Sequence, residues 1–181
     1  MAKASGNTRN YRGNAKVMAT RRSEFGSLMA RGDYDVARSF FDPSGGFVAT
    51  HVHHNYITNT TEDKSDIAVS VLASKGYKVY LDDERSMRLG ESMPDGRVYT
   101  AVMDIKTINT AGSSTIKAAI EGAASQGATT AILYQNTKSM TRAYVESQIA
   151  QFKEKSPAYA RNKINRVIVV GLSGRVHVHN I

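Results

Sequence analysis

The chain has 181 residues, of which 41% are hydrophobic and 22% charged, enough apolar material for a packed domain and too much for a chain disordered throughout. It contains no cysteine, which excludes disulfides and cysteine-ligated zinc and suits a reducing cytoplasm. The net charge of +8 is uneven: +5 over residues 1–40, −3 over 41–110 and +5 over 111–166, so basic flanks that attract phosphates enclose an acidic centre able to supply chemistry.

Residues 1–16 are rich in Gly, Asn, Arg and Lys without periodicity and read as a disordered basic arm. No apolar run of signal-peptide or membrane-spanning length follows, so no membrane partner is expected and the cytoplasm is the expected location. From Lys16 to about Phe41 the spacing of Val17, Phe25, Leu28, Met29, Val36, Phe40 and Phe41 predicts one or two helices broken near Gly32. The turn Asp42-Pro43-Ser44-Gly45-Gly46 then separates a basic, partly helical extension (residues 1–44) from a main domain (45–181).

Gly46 to His54 reads as a strand, and Glu62 to Lys75 as an amphipathic helix with Ile67, Ala68, Val71 and Leu72 inward and Gly76 as its stop. Tyr77 to Leu81 alternates as a strand, residues 82–96 form a charged loop, and Arg97 to Ile108 reads as one long central strand. A helix from near Thr115 is closed by Gly127, Thr130 to Tyr134 is a short apolar strand, and residues 138–155 form a further helix. Arg166 to Leu172 is a buried-type strand turning at Ser173-Gly174 into Val176 to Val178. This order predicts an α/β (α+β) domain with a single mixed sheet packed by helices.

Three constellations carry chemistry. The first is the turn Pro94-Asp95-Gly96 followed by Asp104-Ile105-Lys106-Thr107. On a strand Asp104 and Lys106 leave the same face; carboxylates hold a divalent cation, and a lysine stabilises charge on a phosphate. The second is the histidines: His51 and His53 share a strand face opposite His54, and His177 and His179 form a second pair near the C-terminus. Imidazoles in such positions are proton shuttles or metal ligands. The third surrounds the helix after Ser113, where Ser114 and Lys117 sit at an N-terminal end that favours a phosphate and Gln126 lies at the other end. Arg142 and the later basic residues provide a backbone-holding face, and Tyr11, Tyr56, Tyr99, Tyr134 and Tyr159 are candidate base-stacking rings.

The Asp95…Asp104-X-Lys106 spacing resembles the signature of the PD-(D/E)XK nucleases. That resemblance implies a magnesium ion held by Asp95 and Asp104, a lysine that orients water, and a further acid from Glu62, Asp63 or Asp66. A wider resemblance runs from Gly45 to Ile181. In order, Gly45-Gly46-Phe47-Val48, Leu72-Ala73-Ser74-Lys75-Gly76-Tyr77, Pro94-Asp95-Gly96, Asp104-Ile105-Lys106-Thr107 and Ser114 to Gly127 are similar to the C-terminal tRNA nuclease domains of contact-dependent inhibition and polymorphic toxins, within the barnase–EndoU–colicin E5/D–RelE-like class. Asp104 stands where such domains commonly carry Glu.

This second resemblance implies metal-free cleavage of RNA, with tRNA as the expected target, no cofactor, and a cognate immunity protein as partner. Lys106 would stabilise the phosphorane, Thr107 or Ser114 would hydrogen-bond a phosphate oxygen, and His51 or His53 would move protons, with Asp104 beside them. Three readings thus stand at sequence level: an RNA nuclease of toxin type, a magnesium-dependent DNA nuclease, and a non-catalytic nucleic-acid-binding or phage and mobile-element assembly protein.

Overall fold

A computed structural model describes residues 11–55, 63–85 and 93–181. Eight strands form one mixed sheet whose spatial order follows the chain: β1 (Phe40–Phe41), β2 (Phe47–Thr50), β3 (Lys78–Leu81), β4 (Gly96–Val98), β5 (Ala101–Ile108), β6 (Thr130–Gln135), β7 (Arg166–Val170) and β8 (Val176–Asn180). The pairs β2–β3, β5–β6 and β6–β7 are parallel, and the remaining neighbours are antiparallel. The expected single mixed sheet packed by helices is the observed architecture.

Strand alternation divides the core into two layers. On one face Val48, Val79, Val98, Ile105, Ile132 and Ile168 pack against α2 (Ser65–Ser74), which buries Ala68, Val69, Leu72 and Ala73. On the other face Ala131, Leu133, Val167 and Val169 pack with Ile116, Ile120 and Ala123 of α3 (Thr115–Ser125) and Val145, Ile149 and Phe152 of α4 (Arg142–Lys155). A short α5 (Ala158–Lys163) adds Ala160 to that layer. Each fully buried Leu, Ile or Phe contributes about 1.5–3 kcal/mol relative to exposure.

The segment expected as one strand over Arg97 to Ile108 is instead a hairpin. Tyr99 takes a positive φ of 55° and Tyr99-Thr100 form the turn, so β4 pairs with only Ala101, Val102 and Met103. Asp104 to Ile108 extend beyond β4, paired with β6 on one side only. Gly96 is fixed by contact, since a Cβ there would lie 1.9 Å from the Tyr80 carbonyl oxygen.

The N-terminal extension also differs in detail from its expected form. One helix, α1 (Ala15–Met29), is capped by Asn14 Oδ1, which accepts from the Val17 amide. Phe40 and Phe41, expected in a helix, pair with Val48 and Phe47 instead. Contacts cross the expected boundary at residues 44/45: Phe25 and Leu28 pack on Phe47, Ala49 and Tyr80. The buried Arg21 guanidinium donates to the carbonyls of Gly45 and Gly76, each at 2.8 Å, under the Tyr11 ring. Glu24 accepts from Tyr80 Oη at 2.6 Å and pairs with Lys78. No helix among the described residues is long and apolar enough to cross a membrane.

Candidate functional site

The site forms where β5 runs past the end of β4. Asp104 and Lys106 leave the α3 face, as their register with Ala131 and Leu133 requires. Asp104 is buried, and Lys106 Nζ lies 2.8 Å from its Oδ2. The same ammonium donates to Gln126 Oε1 at 2.9 Å, at the C-terminal end of α3. Asp95, immediately before β4, turns its carboxylate to the β5 edge: Oδ2 accepts the Ile105 amide at 2.6 Å, filling the backbone acceptor position that β4 leaves empty. Burial, then the negative charge of Asp104, pushes Asp95 up to about 7. Burial also raises Asp104, and Lys106 draws it back.

On the α2 face the same edge borders a cavity of about 40 Å³ lined by His54, Glu84, Asp63, Asp66, Asp95 and Ile105 among others. Its polarity suits a few water molecules. Asp63 Oδ1 accepts from the amide and hydroxyl of Ser65 at the start of α2. Burial raises Glu84, and the charges of Asp104 and Asp63 raise it further. Carboxylates from four separate segments thus feel one another around the end of β4.

The donor set fits a magnesium ion. Asp104 Oδ2 meets the Lys106 ammonium at 2.8 Å while Oδ1 is buried without a hydrogen-bond donor among the described residues, and the neighbouring Asp95 is pushed up to about 7 by burial and that same charge. Asp95 and Asp104 would hold such a cation, whose charge would offset their mutual repulsion. Among the described residues no group of three or more His, Asp and Glu is gathered tightly enough to cage an ion; magnesium takes one or two carboxylates and completes its shell with water and substrate phosphate.

The remaining candidates fall elsewhere. Thr107 points to the α2 face, where its hydroxyl accepts the Lys64 amide at 2.9 Å and lies 3.4 Å from Asp63. Ser114 occupies the N-cap position of α3 without a side-chain capping bond, at the opposite end from Gln126 and about 16 Å away along an 11-residue helix, so the helix N-terminus and Lys106 do not face one anion. Lys117 pairs with Glu121 and Arg142 with Glu146. β2 ends at Thr50; His51 makes a single antiparallel bridge to Tyr34 and the chain then turns through His53 to His54, so the three histidines do not share a strand. His51 packs on Tyr34 and its Nδ1 accepts the His53 amide, whereas His54 is buried at the cavity. His54, which the sequence reading set on the face opposite His51 and His53, and Glu84, one acid within a charged loop, are the residues that sequence reasoning did not bring to the site.

His177 and His179 share the α4 face of β8 beside Arg142 and Val145, remote from Asp104 along the sheet order. Of the stacking candidates, Tyr134 is buried, Tyr99 donates to the Gly76 carbonyl, Tyr11 lies against Arg21 and Tyr159 is exposed. Glu62 and Tyr56 lie outside the described residues, as does the arm before Tyr11.

No protein-family model matches the sequence, and no curated protein matches it. Among solved structures, the chain is similar to a CdiA-CT/CdiI toxin and immunity complex from Burkholderia pseudomallei, at 20% identity over 73% of this chain and 98% of the other, with a TM-score of 0.51. At that identity the likeness is one of fold.

Proposed function

We propose that this chain is a toxin-type nuclease that hydrolyses phosphodiester bonds in RNA, with tRNA as the substrate class, at the site built from Asp95, Asp104 and Lys106. The observation that carries the reading is the convergence at one strand edge of the buried Asp104 carboxylate, the half-buried Asp95 carboxylate and an ammonium held between Asp104 and Gln126. Basic flanks in sequence supply the attraction for phosphates. The fold shared with a chain of a CdiA-CT/CdiI toxin and immunity complex supports the toxin assignment, and a cognate immunity protein is proposed as the partner in the producing cell.

Asp95 and Asp104 would hold a magnesium ion, which when bound supplies a Lewis acid for phosphoryl oxygens. Lys106 acts as a fixed cation. Its ammonium is engaged by Asp104 and Gln126, so it is placed to offset charge growing on phosphorus rather than to take a proton. Gln126 sets the direction of that ammonium. Asp95 is itself held in register by the Ile105 amide, so the strand edge determines where the carboxylates stand.

The chelator and the 2′-hydroxyl separate this reading from its rivals. Wild type and Lys106→Ala are assayed on total tRNA, mixed RNA and duplex DNA, with magnesium and with chelator. Cleavage of tRNA that needs magnesium and is lost in Lys106→Ala is expected. Cleavage that survives chelator but fails on 2′-deoxy substrate would assign the metal-free RNase chemistry instead, and preference for duplex DNA would overturn the substrate.

A further inference from the structure

In the proposed site Lys106 serves as a fixed cation and Asp95 and Asp104 are assigned to an ion, which leaves the proton released by an attacking water without an acceptor among them. The cavity beside Asp95 holds an imidazole. His54 is 8% exposed, and its Nδ1 lies 3.1 Å from Glu84 Oε1 and 3.1 Å from the Asp82 carbonyl oxygen. Both neighbours are acceptors, so Nδ1 carries the ring proton and Nε2 is the basic nitrogen. Glu84 is held in turn, its other oxygen accepting the Asn55 amide at 3.1 Å.

The turn that carries His54 is fastened from a distant part of the chain. Arg38 Nη1 donates to the His54 carbonyl at 3.1 Å, and Nη2 to the carbonyls of Val52 and His51 at 3.1 and 3.4 Å. Its Nε is fixed on Asp35 at 2.7 Å. A planar guanidinium gripping the carbonyls of one turn sets the turn's backbone more firmly than a flexible ammonium would. The charged and titratable groups facing the imidazole are Glu84 and Asp82 on one side, His51 on its own turn, Arg38 beneath that turn, and Asp63, Asp66 and Asp95 across the cavity. Burial, against the pull of Asp82, lowers the imidazole's affinity for a proton and keeps it in its basic form at neutral pH.

Resting on the nuclease reading, we infer that His54 is a further catalytic residue, the base that takes the proton from the attacking water, with Glu84 and Arg38 as its positioning residues. In the step a water oxygen bonds to phosphorus and the bond from phosphorus to the leaving nucleoside oxygen breaks. The water's proton passes to His54 Nε2, the leaving oxygen takes a proton from solvent, and His54 later returns its own. Glu84 stabilises the imidazolium through Nδ1–H, the arrangement by which a carboxylate orients a histidine base.

The test compares tRNA cleavage with magnesium by wild type, Lys106→Ala, His54→Ala, His54→Gln, Glu84→Gln, Arg38→Lys and Arg38→Met. Loss of a general base is expected to lower kcat about 10²–10⁴-fold in His54→Ala and His54→Gln with KM little changed. Added imidazole should restore cleavage to His54→Ala but not to Lys106→Ala. The acid limb of the kcat/KM profile, to which Asp95 also contributes, should lose one ionisation in His54→Gln and move in Glu84→Gln. Arg38→Lys should retain more kcat than Arg38→Met. Wild-type rates in both His54 variants, or an unchanged acid limb together with no imidazole rescue, would overturn the role of His54 while an inactive Lys106→Ala leaves the nuclease standing. Inactivity of the folded wild type on every nucleic acid overturns both.

Discussion

Asp95→Asn separates what the site does from what it costs the fold. The wild-type carboxyl moves from an ordinary 3.8 to about 7 in the native state, through burial first and the charge of Asp104 second. A native group that holds its proton more tightly than the unfolded chain contributes stability that is fully present below pH 3.8 and is gone once the pH has risen through about 7. Three pH units at about 1.4 kcal/mol each give a ceiling of about 4 kcal/mol. Asp95 and Asp104 share the interaction, and Asp95 is only partly enclosed, so about 2 kcal/mol is expected. Asparagine is neutral at every pH and keeps an oxygen to accept the Ile105 amide now bonded at 2.6 Å. In chelator at pH 8, Asp95→Asn should therefore melt about 4–8 °C above wild type, with the gap closing as the pH is lowered toward 4. Magnesium should raise the melting temperature of wild type but not of the variant, and tRNA cleavage should be lost. The assay is thermal unfolding across pH, with and without magnesium. A variant no more stable than wild type at pH 8, or a gap that ignores pH, would refute the picture of a buried, mutually repelling pair.

Gly96→Ala should fail differently, because its Cβ would meet the Tyr80 carbonyl at 1.9 Å; a loss of more than about 3 kcal/mol in denaturant unfolding is expected, as for overpacked sites at the severe end. Arg21→Met leaves the Gly45 and Gly76 carbonyls without their buried donor, and should cost about 2–4 kcal/mol by the same measurement. Gln126→Ala removes one of the two partners of the Lys106 ammonium and should lower kcat about tenfold while leaving the unfolding midpoint nearly unchanged. Raising salt should increase KM for tRNA steeply with little change in kcat, as expected of phosphate contacts.

The sheet was readable wherever one period ran unbroken. Alternation in β5 placed Asp104 and Lys106 on one face, and the apolar runs of β6 and β7 marked buried parallel strands. It failed where local signals were ambiguous. Arg97 to Ile108 alternates through the turn at Tyr99, a residue that seldom takes the positive φ it adopts here, so a hairpin looked like one strand. Phe40 and Phe41 fit a helical stripe until β2 offers them a pairing partner. The adjacency of Asp95 to β5 follows from that same hairpin, and the contact between Lys106 and Gln126 from the path of α3 back along β5. Twenty residues separate that pair, a distance that no periodicity reports. The turn at His51 to His54 depends on Arg38, so which imidazole faces the cavity is set by a residue that precedes it by 16 positions.

The brevity of β4 has an evolutionary corollary. Three residues of pairing leave the following stretch of β5 without a neighbour on one side, and the Asp95 side chain serves there in place of backbone. Lengthening β4 backward by two residues would satisfy the same amide with a main-chain carbonyl and withdraw the carboxylate from the strand edge. In this architecture, gain or loss of the proposed centre is separated by strand length alone, so an inert homologue need not have lost a single one of the acidic or basic side chains.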